Sequence, residues 1–482
     1  MQLIHQRDLT RMPARLGILF LSLVALPAAL AAQDQEYEAP ATTTLDVTSA
    51  SPAALESFQA GMWEWDNIDF GVAAGHFEEA LDIDPSFGAA RVMHAGAAPG
   101  MTVDERVEQI AVGMIDMARG TTVEQLLALA LKESISGSNA TAAKLVKAAS
   151  ELAPGSPHLA YRAAIWSGEG VKAMKGVTEQ FPDFAPAWNT IAYRLYADGR
   201  TDEAVKAVTK YLELAPDHPN AHDSYAEIMQ WEGETETALA HYRKAVEIRP
   251  SYAVGYQGIA ETEWLLGNRD EARVALEQAA VHQTSESARI NTTRAIAATY
   301  MMEGDRKKAE AMFSDVASAA VAAGNEGLAR TAHYQAAQND AINGNGKSVA
   351  AHIQQAAELG GEGNIGHYFW GSVAYSLAGD IEGSRAMLAS LEEVAAESAP
   401  AAIRRASVYL LLADGDADGA MVLLEEEEDD TAMFVRALKA RCYKAMKEGD
   451  MAKELQASVL TDPGLAFTNT GETLAVAQVR KL

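Results

Sequence analysis

Pro182, Pro216 and Pro250 recur at an interval of 34 residues, and Gly199, Gly233 and Gly267 keep the same interval. A fixed period of this length constrains the chain more than any single motif, because it means that one supersecondary unit is repeated. In the unit opening at Pro219 the pattern runs His222, Tyr225, Ala226, Met229, Gly233, Ala238, Tyr242, Ala245 and Pro250. Its neighbours carry Trp188, Ile191, Ala192, Leu195, Ala204 and Pro216, then Tyr256, Ile259, Ala260, Ala272, Leu276 and Ala279. Such spacings describe two helices per unit, with the glycine in the turn between them and the proline stopping the second. Ala192, Ala226 and Ala260 in the first helices, and Ala204, Ala238 and Ala272 in the second, are small enough for close approach, while aromatic residues fill the gaps. No unit buries its apolar face alone, so neighbours must stack into a quasi-one-dimensional array.

The pattern resembles the tetratricopeptide repeat (TPR), in which W-x2-L-G-x2-Y is followed by A-x3-F and a closing proline. The resemblance implies an all-α, right-handed superhelical solenoid of antiparallel helix pairs, with roughly a dozen units at about 34 residues each. Looser copies include Ala60, Gly61, Ala73, Phe77, Ala80 and Pro85, then Leu126, Ala130, Ala142, Ala149 and Pro154. Ala89–Thr122 and Pro157–Gln180 fit poorly, and beyond Ile290 the period slips, although Gly304, Gly379, Gly415 and Gly449 continue a helix-pair rhythm. The block YLELAPDHPNAHDSYAEIMQWEGETETALAHYRKAVEIRPSYAVGYQGIA is similar to a group of exported bacterial tetratricopeptide proteins in which P-N-x-x-D-S-Y-A-E opens a repeat. The expected organisation is a signal peptide at 1–31, a disordered leader at 32–52, partly degenerate repeats at 53–184, a well-specified block at 185–287, degenerate helix pairs at 288–468 and a tail at 469–482.

Arg7, Arg11 and Arg15 precede the apolar run LGILFLSLVAL, and Ala29-Leu30-Ala31 supplies small residues for cleavage, the composition of an export signal. The run is too short, and too interrupted by Pro27, for a comfortable membrane span. A periplasmic or secreted chain without membrane insertion after cleavage is therefore expected. Loss of three arginines and one aspartate with the signal moves the net charge from −28 to −30. Such a surface repels nucleic-acid phosphates and anionic lipid headgroups. Cys442 is the only cysteine, so no internal disulfide is available and packing alone must hold the fold.

Several constellations invite a chemical reading. His218 and His222, between Asp217 and Asp223, look like a metal cluster. A helical histidine pair needs both rings on one continuous helix, however, and Pro219 steers His218 away from helical angles. The favoured reading makes His218 a cap or turn residue, Pro219 the first helical residue, and His222 a packing residue in the slot of Trp188 and Tyr256. Gly344–Ser348 ends like a phosphate-binding loop, but position 341 is alanine and no strand precedes it. The acidic run Glu425–Asp430 lacks the spaced ligands of a calcium loop and reads as a solvated helix end. Cys442 falls at the small-residue position of its unit, where a packed, inert thiol is expected. No cofactor and no catalytic set is expected.

The tetratricopeptide resemblance further implies that repeat positions 2, 5, 9, 12 and 13 line a concave groove. Those positions are Asn189, Tyr193 and Tyr196; Asn220, Asp223, Glu227, Gln230 and Trp231; Gln257, Glu261 and Trp264; and Asn291 and Arg294. Amides, carboxylates and aromatics suit a peptide held by its backbone with buried aromatic anchors. Carboxylates at Asp223, Glu227 and Glu261 disfavour a clamp for a partner's carboxylate, so the expected partner is a protein or peptide with a neutral or basic segment. Two alternatives are a structural or assembly subunit of an envelope complex and, less favoured, a metal-dependent protein using the acidic groove.

Overall fold

The computed structural model describes residues 45–49, 51–427, 429 and 431–482. The expected signal peptide lies outside them, as does most of the expected leader. The described secondary structure is helical throughout. It runs α1 Pro52–Asp66, α2 Phe70–Ile83, α3 Gly88–Ala97, α4 Val103–Asp116, α5 Thr122–Ile135, α6 Asn139–Leu152, α7 Pro157–Trp166, α8 Val171–Gln180 and α9 Ala185–Ala197. It continues with α10 Thr201–Leu214, α11 Pro219–Trp231, α12 Thr235–Ile248, α13 Ala253–Leu265, α14 Arg269–Val281, α15 Glu286–Glu303, α16 Arg306–Ala322 and α17 Glu326–Ile342. The remainder is α18 Gly346–Ala356, α19 Ile365–Ala378, α20 Ile381–Ala395, α21 Pro400–Asp414, α22 Ala417–Glu425, α23 Met433–Ala445, α24 Gly449–Leu460 and α25 Thr470–Val479.

Consecutive helices pack in pairs, as the 34-residue period requires. Ala192, Ala204, Ala226, Ala238, Ala260 and Ala272 are all fully buried, so the periodic small residues occupy the helix–helix contacts. Gly199, Gly233 and Gly267 have φ of 72°, 87° and 90°, the left-handed conformation that ends a first helix tightly. Before α24 this role passes to Lys447, at φ 67°, and Gly449 instead opens the helix.

The irregular segments have local causes. In the poorly matching stretch after residue 89, α3 is only ten residues long. The buried Arg106 caps its end, with Nη1 donating to the carbonyls of Ala95 and Gly96 (2.5 and 2.9 Å) and Nη2 to that of Ala98 (2.6 Å). Helix-terminal carbonyls lack intrahelical partners, and a forked guanidinium satisfies three at once. Beyond residue 286 the helices lengthen to 17 or 18 residues in α15, α16 and α17, which is why the period slips there.

The chain divides into two compact units. Among described residues, the N-terminal unit comprises residues 45–229 and 240–255, and the C-terminal unit residues 230–239 and 256–482, with boundaries inside α11, α12 and α13. In the N-terminal unit the segment before α1 is packed from Leu45 onward. Leu45 and Val47 are buried, the backbone of Leu45 pairs with the Gln59 amide, and Thr48 donates to Glu124. Leader-like composition therefore extends into residues that belong to the core.

Candidate binding groove

In the C-terminal unit the first helices of the pairs, α13, α15, α17, α19, α21 and α23, surround α25. Ala475, Val476 and Val479 of α25 join a core with Trp264, Ile296 and Ala437. Its Leu474 packs with Val373, Val408 and Leu438, and its Ala477 with Ala298 and Ala336. Residues 473–479 are buried without interruption. A helix enclosed on every side must be apolar on every side, and Leu474-Ala475-Val476-Ala477 meets that condition without a helical period.

The stretch leading into α25 is held by residues expected to line the groove. Gln230 Nε2 donates to the carbonyl of Pro463 (2.8 Å), while its Oε1 accepts from Thr262 (2.8 Å). Phe467 meets the Trp264 indole edge-on, with ring centroids 5.4 Å apart. The same indole carries the Arg269 guanidinium at 3.8 Å, a cation–π contact. Arg294 donates to Asn291 Oδ1 (3.0 Å), to Gln335 Oε1 (2.7 Å) and to the carbonyl of Thr468 (2.8 Å). Burial disfavours its charge and brings its pKa down to about 10. Glu261 is buried in the same unit, and its charge, after burial itself, helps push the Glu472 carboxyl up to about 7. Trp231, Gln257 and Asn291 are half-buried.

In the N-terminal unit, Tyr193 on α9 donates to Glu227 on α11 (2.7 Å). Burial, and then the carboxylates of Glu227 and Asp223, raise the Tyr193 hydroxyl well above its ordinary value, so it stays a donor. Asn189, Asp223 and Glu227 are buried, and Tyr196 is half-buried. Asn220 belongs to a relay. Tyr252 donates to its Oδ1 (3.1 Å), its Nδ2 donates to Tyr211 (3.0 Å), and Tyr211 donates to Asn67 (2.7 Å).

That relay leads to a cluster not anticipated from the sequence. The end of α1 and the following turn, Trp63-Glu64-Trp65-Asp66-Asn67-Ile68-Asp69, meet His158 and Arg162 of α7, His218 just before α11 and Arg249 just after α12. Asp66 pairs with His158 and, at 2.9 Å, with Arg162. Glu64 pairs with His218 at 3.2 Å and with Arg249 at 3.2 Å, and Asp69 also pairs with Arg249. Burial works against the Glu64 charge, but the His218 hydrogen bond and the Arg249 charge outweigh it, and its pKa falls. Trp63 is buried with Ala185, Tyr211, Ala215 and Ala221. The available signal was compositional: three carboxylates and two tryptophans within seven residues are unusual for the end of a surface helix.

The histidines of the central block are thus structural. Pro219 is the first residue of α11, and His218 lies before it. Its Nδ1 accepts from the Asn220 backbone N–H (3.2 Å), which leaves Nε2–H to donate to Glu64. His222 is bonded through Nε2 to the Pro216 carbonyl (2.9 Å) and through Nδ1 to His241 (3.0 Å). Among the described residues no group of three or more His, Cys, Asp or Glu side chains is placed to hold a metal ion.

Gly344 forms a turn at φ 79° and Gly346 opens α18, so that segment connects two helices. Among the described residues of the acidic run after Glu425, Glu427 departs from a solvated helix end. Glu427 is buried and paired with Arg404 (3.1 Å) and Arg405 (2.7 Å), which neutralise it. Cys442 is buried, and burial raises its thiol to about 11. No described helix is long and apolar enough to cross a membrane.

A tetratricopeptide-repeat family model matches residues 185–218, the span of α9, α10 and the joint that follows. Among solved structures, the chain is similar to TTC0263, a thermophilic TPR protein of Thermus thermophilus, at 16% identity over 33% of this chain and 91% of that one, with a TM-score of 0.30. It is similar to MamA at 18% identity over 32% of this chain and 93% of that one, with a TM-score of 0.28. A likeness to the APC/C hetero-tetramer Cut9–Hcn1 covers 83% of this chain and 75% of that one, at 14% identity and a TM-score of 0.39. No curated protein matches.

Proposed function

We propose that this helix-pair solenoid is a non-catalytic scaffold that holds a protein or peptide on the face formed by its first helices. The observation that carries this reading is the grip of Gln230 and Arg294 on the carbonyls of Pro463 and Thr468, with Phe467 seated against Trp264. Main-chain hydrogen bonds combined with an aromatic anchor are a recurring mode of peptide recognition. The carboxylates of Asp223, Glu227 and Glu261 favour a neutral or basic segment over an acidic one. The basic, apolar and small-residue stretches within residues 1–31 support export to the periplasm or beyond, where the scaffold would serve the cell envelope.

The test uses the half-buried first-helix residues, whose replacement spares the core. Partners crosslinked to the full-length protein in the envelope fraction should map by mass spectrometry to the first helices. Tyr196→Ala, Trp231→Ala and Gln257→Ala together should reduce their capture at least tenfold with helicity unchanged. Crosslinks confined to the second helices, with capture indifferent to these changes, would instead favour the assembly-subunit reading. Amino-terminal sequencing of the mature protein should begin at Ala32 if the signal is cleaved as expected.

A further inference from the structure

The segment from Pro463 to Leu482 is bound as a separate ligand would be. It is far in sequence from the helices that hold it, with Gln230 and Pro463 separated by 233 positions and Arg294 and Thr468 by 174. Its approach runs through two turns, closed by Leu465 N–H to the Asp462 carbonyl and Asn469 N–H to the Ala466 carbonyl, and is held through main-chain carbonyls, contacts indifferent to side-chain identity. Specificity comes from a few side chains: Phe467 on Trp264, Gln335 donating to Thr473 (3.4 Å), and Gln478 joined to Tyr409 (2.6 Å) and Arg441 (3.0 Å). Gln338 lies one turn beyond Gln335 on α17 and is fully buried, yet among the described residues neither atom of its amide has a hydrogen-bond partner. A buried amide without partners is costly, and an occupant that satisfied it would be preferred.

We infer that residues 463–482 are a resident, displaceable ligand of the concave face of the C-terminal unit, and that this face takes partners of the same chemistry. Such a partner has a turn-forming stretch with one aromatic residue, leading into a helix of small apolar residues that carries a hydroxyl or amide group to meet Gln338. The inference rests on the scaffold reading and adds to it a specific occupant and a means of regulation. The chain closes its own site until a competing segment replaces the resident one. Because the resident is tethered, its effective concentration is high, and a free peptide competes only when the cis contacts are weakened.

The experiment uses the full-length protein and a fluorescently labelled synthetic peptide of residues 461–482. By anisotropy, the unaltered protein should bind the peptide weakly. Phe467→Ala in the protein, which loosens its own segment while leaving the face intact, should tighten peptide binding at least tenfold. Adding Arg294→Ala to that variant removes a donor from the face and should cancel the gain. If Phe467→Ala binds the peptide no better than the unaltered protein does, the inference is overturned. Hydrogen exchange on the unaltered protein gives a second reading that needs no variant. Amides of α25 should exchange through an opening that leaves α15 and α17 protected, whereas exchange only in step with those helices makes α25 permanent core and overturns the inference. That result would leave the scaffold reading standing, because its own test depends on Tyr196, Trp231 and Gln257 and on crosslinked partners.

Discussion

Asp66 and Glu472 show how differently two buried carboxylates behave. Asp66 faces a guanidinium and an imidazole, and removing its charge strands both. Breaking a buried pair from one side costs about 3–5 kcal/mol, whereas an exposed pair is worth about 0–1 kcal/mol. Asp66→Asn should therefore lower urea-unfolding stability by about 3 kcal/mol or more, and Glu169→Gln, which opens the exposed pair with Lys172, by less than about 0.5 kcal/mol. Equal losses would show that the cluster at the end of α1 is not a clamp. Glu472 has no cation among its partners. Burial comes first and the Glu261 charge adds to it, so its pKa rises from an ordinary 4.5 to about 7. The folded chain then holds a proton that the unfolded chain has released. This group's contribution is full below about pH 4.5, declines as pH rises toward about 7, and is level above that. Glu472→Gln should flatten this slope and raise stability at pH 8 by up to about 3 kcal/mol; a slope that survives the substitution assigns it to another group. At this scale the sequence was partly legible. Repeat position singled out Trp264, Arg294 and Gln230, but not what they would meet, because their partners lie outside the repeat period.

At the scale of elements, the period anticipates the pairs from α9 to α14, since each alanine contact there is local. It fails where the contact is made by backbone. In the poorly matching stretch α3 meets α4 through Gly88 and Gly113. A Cβ placed on Gly88 would meet the Gly113 carbonyl oxygen and, at 2.9 Å, the backbone nitrogen of Met117. Backbone cannot rotate aside as a side chain can, so Gly88→Ala should cost about 1–3 kcal/mol, the usual range for overpacking. Gly75→Ala, with nothing within 4 Å of the added carbon, should be neutral or slightly stabilising. Thermal melts of the two variants decide this, and coincident curves would remove the backbone contact as the cause. The tail expected at 469–482 contains α25, whose sequence gives no amphipathic signal. A helix with apolar residues on every face reads as irregular when one face is assumed to meet water.

For the whole molecule, net charge sets a term that no single contact supplies. At −28 the folded chain repels itself. Raising the ionic strength from 0.01 to 0.1 M shortens the screening length from about 30 to about 10 Å. The melting temperature should therefore rise with sodium chloride over this range, and a fall would mean that attractive pairs outweigh the repulsion. Repeat arrays are stabilised mainly between neighbours, yet each unit also contains long closures, such as Glu64 to Arg249 in one and Arg294 to Thr468 in the other. The sequence by itself determined the helix pairs and their turns, because those follow from contacts a few residues to one repeat apart and so leave a period. Only the tertiary structure decided which segments close each unit, the charged end of α1 in one and α25 in the other. These partners come from single, unrepeated segments far off in sequence, with Asp66 and His158 92 positions apart and Arg294 and Thr468 174 apart, and a contact made once leaves no period to read.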